Sequence, residues 1–133
     1  MARVLIVDDD PAILNMLDEL LQDESYETLL ATDGDAAVTI ARERMPDLIL
    51  MDLMLPIMDG ATAIRRLKQD PDTSSIHIIA MSAGANLRMH ADQLPADSVI
   101  GKPFDLNTLL AGVALHTSPQ RVTTANGRSA DES

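Results

Sequence analysis

The sequence contains no cysteine and no tryptophan, and among its 133 residues it has one tyrosine and one phenylalanine. Without cysteine, neither a disulfide framework nor a cysteine-ligated zinc or thiol-redox site can form. Long apolar runs are also missing near the N-terminus, where Val4 to Val7 is far too short for a signal peptide or a membrane span. We therefore expect a cytoplasmic protein with no membrane insertion.

Basic residues are few, with 10 Lys and Arg against 21 Asp and Glu, so the formal net charge is −11. Affinity for nucleic acid depends on Lys and Arg displacing counterions from phosphates, so we predict no direct nucleic-acid binding. An acidic excess by itself indicates only solubility. It becomes informative where carboxylates cluster, because crowded carboxylates repel one another unless a cation lies among them.

In the sequence, short apolar runs alternate with segments of helical periodicity, and this alternation occurs five times. Five strands are predicted, at Val4–Val7, Tyr26–Ala31, Leu48–Met51, Ile76–Met81 and Ser98–Ile100. Helices are predicted at Pro11–Asp23, between Asp33 and Pro46, at Ala61–Gln69, near Asn86–Leu94 and at Asp105–His116. Short connections between such elements imply right-handed crossovers, so we predict an α/β doubly wound fold with a five-stranded parallel sheet.

The predicted domain covers residues 1–116, and its length and 46% apolar content suit one compact core. Apolar residues nearly vanish from 117 to 133, where Ser, Thr, Asn, Gly and Arg dominate. Such a segment cannot join a core, so we predict a disordered tail or a linker remnant.

Reactive side chains follow the strands at the edge where ligands of such sheets bind. They are Asp8, Asp9, Asp52, Ser82 and Lys102. Three converging carboxylates favour a hard divalent cation held by oxygen, and Mg²⁺ fits best. Asp9 and Asp52 suit direct ligation and Asp8 ligation through water, whereas the neighbouring Asp10 is predicted to cap the helix that begins at Pro11.

Asp52 is the predicted nucleophile, because one of its oxygens can attack a phosphoryl group in line while the metal neutralises charge on the transferring oxygens. Lys102 can pair with the carboxylate before transfer and with a phosphoryl oxygen afterwards. The Ser82 hydroxyl can donate to another phosphoryl oxygen.

Four short motifs carry a resemblance to a known family. They are Val7-Asp8-Asp9-Asp10-Pro11, Met51-Asp52-Leu53-Met54-Leu55-Pro56 with Met58-Asp59-Gly60, Met81-Ser82-Ala83, and Lys102-Pro103-Phe104. In this order and spacing they resemble bacterial two-component response-regulator receiver domains of the single-domain, chemotaxis-regulator kind, over about residues 2–116. The resemblance implies a flavodoxin-like (β/α)5 fold.

By this resemblance Asp52 is the phospho-acceptor, Asp8 and Asp9 form the acidic metal pair, and the Met54 backbone carbonyl completes the Mg²⁺ shell. Ser82 and Lys102 would sense the phosphoryl group. The donor would be a histidine kinase or a histidine phosphotransfer protein, and a further protein would receive the signal. The chain would then be no enzyme beyond catalysing its own phosphorylation and dephosphorylation.

The sequence departs from the family pattern in the segment between Ser82 and Lys102. Val99 stands three residues before the lysine, where the family usually has an aromatic switch residue, so we expect switching through loop motion alone. The segment is also shorter than usual, and Leu94-Pro95 stands where a glycine turn is common. The fourth helix should therefore be short or displaced.

The leading hypothesis is a stand-alone phospho-acceptor whose conformational population shifts on phosphorylation and changes its affinity for another protein. A phosphate-independent interaction module with the same fold is one alternative, suggested by Val99. A Mg²⁺-dependent phosphohydrolase that forms an aspartyl-phosphate is another. A receiver fragment of a multidomain regulator is the third, with residues 117–133 as the start of a linker.

Overall fold

The computed structural model of the chain describes residues 1–83 and 94–117. The helix predicted near Asn86–Leu94 lies outside these residues except for its last position, and so does the tail from residue 118. The elements are β1 (Arg3–Val7), α1 (Pro11–Asp23), β2 (Glu27–Ala31), α2 (Gly34–Arg44), β3 (Leu48–Asp52), α3 (Gly60–Gln69), β4 (His77–Ala83), β5 (Ser98–Lys102) and α4 (Leu106–Thr117).

The five strands form one parallel sheet in the order β2-β1-β3-β4-β5. The apolar runs of β1 and β3 lie in its interior, where Val4 to Val7 and Leu48 to Met51 are fully buried. Strands covered on both faces need apolar side chains in both directions, which is why these runs do not alternate with polar residues. The predicted five-stranded parallel sheet is confirmed.

Each face of the sheet carries its own core, because successive side chains of a strand point to opposite faces. Leu5 and Ile49 belong to the core with α2 and α3, whereas Ile6 and Leu50 belong to the core with α1 and α4. Helices thus cover both faces, which confirms the doubly wound architecture. Among the described residues, no helix is both long and apolar enough to cross a membrane.

Three helices begin with an aspartate cap. The side chains of Asp10, Asp33 and Asp59 accept hydrogen bonds from the backbone N–H groups of Ala12 (2.9 Å), Ala36 (2.7 Å) and Thr62 (2.8 Å). A carboxylate in this position satisfies a donor that the first helical turn leaves unpaired. The predicted capping role of Asp10 is confirmed, and the caps fix where the chain turns back beside the strand ends.

The strands that carry site residues run further than the sequence pattern indicates. Asp52, Ser82 and Lys102 lie within β3, β4 and β5, where the prediction ended each strand before the polar residue. The backbone ladder continues through these positions, since its hydrogen bonds do not depend on side-chain polarity. Val99 is half-buried in β5 and packs against the core on the α2 and α3 face.

Candidate functional site

Three carboxylates meet at the carboxyl ends of β1 and β3. Asp8 and Asp9 directly follow β1, Asp52 ends β3, and these two strands are neighbours in the sheet. Each carboxylate offers one oxygen that lies within 4.8 Å of the others. Asp8 and Asp52 are buried while Asp9 is exposed, so the cluster opens to solvent on one side. Clustered carboxylate oxygens are the donor set that Mg²⁺ prefers, and these residues therefore fit that ion.

Lys102 brings a positive charge to the two buried carboxylates. Its Nζ donates a hydrogen bond to Asp8 Oδ2 at 2.8 Å and lies 3.3 Å from Asp52 Oδ2. Burial lowers the pKa of this amine, but the hydrogen bond to Asp8 and the negative charge of Asp52 outweigh burial, so the net shift raises the pKa. The ammonium form is thus held between the two acids.

One cation does not balance this cluster. Burial, followed by the charge of Asp8, raises the pKa of Asp52 above its ordinary value, although Lys102 acts in the opposite direction. Asp52 Oδ1 also accepts a hydrogen bond from the Met54 N–H at 3.3 Å. The nucleophile candidate therefore has Lys102 at one oxygen and a backbone amide at the other, with net negative charge that a divalent cation would neutralise.

Ser82 reaches the same edge of the sheet from β4. In the strand register Asp52 pairs with Met81, Ser82 with Gly101, and Lys102 with the residue after Ser82. The Ser82 side chain is buried, and its hydroxyl makes no hydrogen bond to residues 1–83 or 94–117. The structure thus brings Asp8, Asp9, Asp52 and Lys102 together, and it places Ser82 on the strand between Asp52 and Lys102.

Gly60 allows the loop after β3 to fold back against the nucleophile's own backbone. Its N–H donates to the Leu53 carbonyl at 3.1 Å, and a Cβ at this position would collide with the Asp52 carbonyl oxygen. Glycine is not needed here for a left-handed backbone, because its φ lies outside that region. The close approach of two backbone segments is the actual reason for glycine here.

The loop from Leu53 to Asp59 exposes apolar side chains beside the site, a feature that sequence reasoning missed. Met54 is 74% exposed and Ile57 is 86% exposed. Ile57 has φ 67°, and the Met58 N–H donates to the Pro56 carbonyl at 2.7 Å, which closes a γ-turn around it. No sequence rule places a β-branched residue in this conformation, since it is unfavourable there.

An open groove of about 970 Å³ lies at the opposite end of the strands, next to Ala2, Pro46 and His77. Its titratable side chains include Glu24, His77 and His116. These groups do not form a set of three metal-ligating side chains, because within the described residues such a set occurs at Asp8, Asp9 and Asp52 alone. The candidate metal-binding cluster of the described residues therefore lies at the carboxyl end of the sheet.

Comparisons with known proteins agree on one family. A family model described as response regulator receiver domain matches residues 4–114. The DNA-binding dual master transcriptional regulator RpaA of Synechocystis is 37% identical over 115 residues, which is 85% of this chain and 48% of that protein. The chain thus spans about half the length of this relative.

Two solved structures extend the agreement to the whole fold. The receiver domain of a signal transduction histidine kinase from Syntrophus aciditrophicus has a TM-score of 0.85 at 30% identity, covering 94% of this chain and 96% of that one. The receiver domain of a sensor histidine kinase from Pseudomonas aeruginosa, with a magnesium ion coordinated in its active site cleft, has a TM-score of 0.80 at 29% identity. It covers 86% of this chain and 95% of that one.

Proposed function

This chain belongs to the response regulator receiver domains of two-component systems, and from that membership we propose that it takes a phosphoryl group from a phosphohistidine donor onto Asp52. The observation that carries the proposal is a cluster of three carboxylates at the carboxyl end of the sheet, two of which pair with the half-buried Lys102. An unbalanced acidic cluster of this kind suits the binding of a cation together with a phosphoryl group.

Asp8, Asp9 and Asp52 would hold Mg²⁺, with the Met54 backbone carbonyl as a further ligand. The magnesium ion in the Pseudomonas aeruginosa receiver domain supports this assignment. When bound, the ion would neutralise charge on the transferring phosphoryl oxygens.

In the proposed transfer, an oxygen of Asp52 forms a bond to phosphorus while the bond from phosphorus to the donor's histidine nitrogen breaks. The nitrogen keeps the electron pair of that bond. Lys102 then moves from its contacts with Asp8 and Asp52 to a phosphoryl oxygen, which its flexible stem permits. The Ser82 hydroxyl donates to another phosphoryl oxygen, and its burial protects that hydrogen bond from water.

The proposed partners are a histidine kinase or a histidine phosphotransfer protein, and a downstream protein whose affinity changes with phosphorylation. We place this exchange in the cytoplasm and assign the chain no enzymatic activity beyond its own phosphorylation and dephosphorylation. RpaA is a DNA-binding regulator, but this chain spans about half of it. For residues 1–116 we propose no direct contact with nucleic acid, because the net charge of the sequence is strongly negative.

The test is incubation with phosphoramidate and Mg²⁺, followed by intact-mass measurement. Wild type should gain one phosphoryl group, Asp52→Asn should gain none, and Asp70→Asn, an aspartate at the end of α3, should behave as wild type. Loss of the adduct on removal of Mg²⁺ would support the metal assignment. A wild-type chain that gains no mass and binds no Mg²⁺ would instead be the phosphate-independent interaction module.

A further inference from the structure

Two aspartates far from the site make the same pair of contacts. Asp47 directly precedes β3, and Asp97 directly precedes β5. The Asp47 N–H donates to the Arg3 carbonyl at 2.8 Å, and Asp47 Oδ2 accepts from the Arg3 N–H at 2.8 Å. The Asp97 N–H donates to the Ile78 carbonyl at 2.8 Å, and Asp97 Oδ2 accepts from the Ile78 N–H at 2.7 Å.

These contacts complete the parallel ladder where the backbone can no longer do so. The N–H and C=O of one strand residue point to the same neighbouring strand, and both need partners. Pro46 directly precedes Asp47 and Pro95 lies two residues before Asp97, and proline is rarely accommodated within a paired strand. The carboxylate takes the place of the backbone acceptor that would come from this preceding chain. Each aspartate thus binds both polar groups of one residue on the adjacent strand.

The two aspartates stand at the same distance from a site residue. Asp52 follows Asp47 by five positions in β3, and Lys102 follows Asp97 by five positions in β5. A slip of one residue in either strand would move these side chains by about 3.3 Å and turn them to the other face of the sheet. The contact of Lys102 with Asp8 and Asp52 therefore depends on the register of β5.

We propose that Asp97 and Asp47 are positioning residues that set the registers of β5 and β3, and so place Lys102 and Asp52 for phosphoryl transfer. The phosphorylation part of this proposal rests on the proposed function, while the placement of Lys102 does not. A two-point contact is suited to this task, because a slipped register would break both hydrogen bonds together.

The effect should be larger for Asp97 than for Asp47. Strand β5 is at the edge of the sheet and pairs with β4 alone, whereas β3 is held between β1 and β4. An edge strand has fewer other contacts to restore its register when this one is lost.

The experiment compares Asp97→Ala, Asp97→Asn and Asp97→Glu with the matched control Asp70→Ala. Asp70 is likewise a partly buried aspartate that accepts a backbone hydrogen bond and pairs with a cation, but it precedes no strand with a site residue. Three quantities are measured well below the melting temperature. They are the phosphorylation rate with phosphoramidate at saturating Mg²⁺, the Mg²⁺ dissociation constant, and the acetylation rate of Lys102 with acetic anhydride, read by peptide mass.

In Asp97→Ala we expect phosphorylation to slow about tenfold, because a small misplacement of a group at the reacting centre is costly. Lys102 should be acetylated faster. Mg²⁺ should bind at least as tightly as in wild type, because its proposed carboxylate ligands follow β1 or end β3 and a displaced Lys102 competes less for Asp8 and Asp52. Asp97→Asn should be phosphorylated, and acetylated at Lys102, at the wild-type rates, since its amide oxygen can still accept the hydrogen bond from the Ile78 N–H. Asp97→Glu keeps the charge but shifts the carboxylate, so both rates should change in the same direction as in Asp97→Ala, by a smaller factor. Asp47→Ala should weaken Mg²⁺ binding and phosphorylation together.

The proposal is overturned if folded Asp97→Ala phosphorylates and acetylates as wild type does, with only its melting temperature lowered. If the alanine variant does not fold, the glutamate variant decides in the same way. A wild-type chain without a phosphoryl adduct would defeat the proposed function but not this inference, since Lys102 acetylation would still report the register of β5.

Discussion

The two ends of the sheet use the same residue types in opposite ways. At the carboxyl end, three carboxylates lie together, and Lys102 pairs with two of them, Asp8 and Asp52. At the amino end, Asp97 meets both Lys68 and the His77 ring, and its carboxylate also accepts from a backbone N–H. Charge is left in excess at the first end and matched at the second. The excess negative charge lowers stability but attracts a cation, which can in turn bind a phosphoryl group, whereas matched charge contributes to stability alone.

Replacing the lysine at each end separates these two roles, and Lys102→Met has the larger expected effect. The phosphorylation rate at saturating Mg²⁺ should fall about 100-fold, because in the proposed transfer Lys102 supplies positive charge to the phosphoryl oxygens and methionine cannot. Mg²⁺ should bind more tightly than in wild type, since Lys102 no longer competes for Asp8 and Asp52. Rates from intact mass and affinities from calorimetry check both statements. A near-wild-type rate would mean that Lys102 serves stability, as Lys68 does.

Lys68→Met is the counterpart at the amino end. Lys68 Nζ donates to the Ser74 carbonyl at 3.2 Å and the Ile76 carbonyl at 2.7 Å, besides its pairing with Asp97. Loss of these charged hydrogen bonds should reduce the free energy of unfolding by about 2 kcal/mol. Urea denaturation measures that loss, and phosphorylation of the folded variant should proceed at the wild-type rate. A slowed rate would show that the two ends are coupled through more than the Asp97 backbone contacts.

Acid provides a third way to compare the ends. Burial alone would raise the pKa of Asp97, but the hydrogen bond from the Ile78 N–H and the charge of Lys68 outweigh it, so the pKa is lowered. A carboxyl with a lowered folded pKa stabilises the protein above its unfolded pKa, and this contribution is lost as the pH falls through the folded value. The stability difference between wild type and Asp97→Asn should therefore be constant near neutral pH and shrink below about pH 4.

The magnitude of this acid effect should be about 1 kcal/mol or less, because the Asp97 side chain is 29% exposed and solvent screens it. Urea denaturation of both proteins across the acidic range measures it. If the stability difference instead grows as the pH falls, the folded pKa of Asp97 is raised and not lowered, and its charged form destabilises the folded chain.

The carboxyl end could be predicted from sequence because parallel strands deliver their last residues to one edge. Asp8, Asp52 and Lys102 are far apart in sequence, yet each follows an apolar run, and this rule alone brings them together. The contacts at the amino end had no such signal. Arg3 lies 44 residues from Asp47, and Ile78 lies 19 residues from Asp97, so nothing local distinguishes these aspartates from acids in ordinary loops.

Strand ends were the least predictable part of the fold, and the reason is energetic. The pattern ends a strand at the first charged residue, because an isolated buried charge is costly. Asp52 and Lys102 stay inside their strands because each supplies the other's counter-charge across β4, at 3.3 Å. Such compensation is visible only when the strands are side by side.

Substitution of Ile57 has the smallest expected effect. It tests whether the exposed loop beside the charged residues also contributes to phosphorylation. A left-handed backbone costs an L-residue about 1–2 kcal/mol, and glycine avoids this at an entropic cost of about 0.5–1 kcal/mol. Because Ile57 is 86% exposed, it buries too little apolar surface to offset the strain. Ile57→Gly should therefore stabilise the chain by about 0.5 kcal/mol in urea denaturation, with an unchanged phosphorylation rate from phosphoramidate.

Transfer from a phosphohistidine protein is the informative comparison for the same variant. A small donor needs only the charged groups, so it should not distinguish glycine from isoleucine at position 57. The proposed protein donor would also cover the surface around Asp52, where Met54 and Ile57 are exposed. If only the protein donor is slowed by Ile57→Gly, the strained apolar loop belongs to the donor contact. If transfer from both donors is slowed, the loop affects the position of Asp52 itself, and phosphorylation depends on the loop as well as on the charged groups.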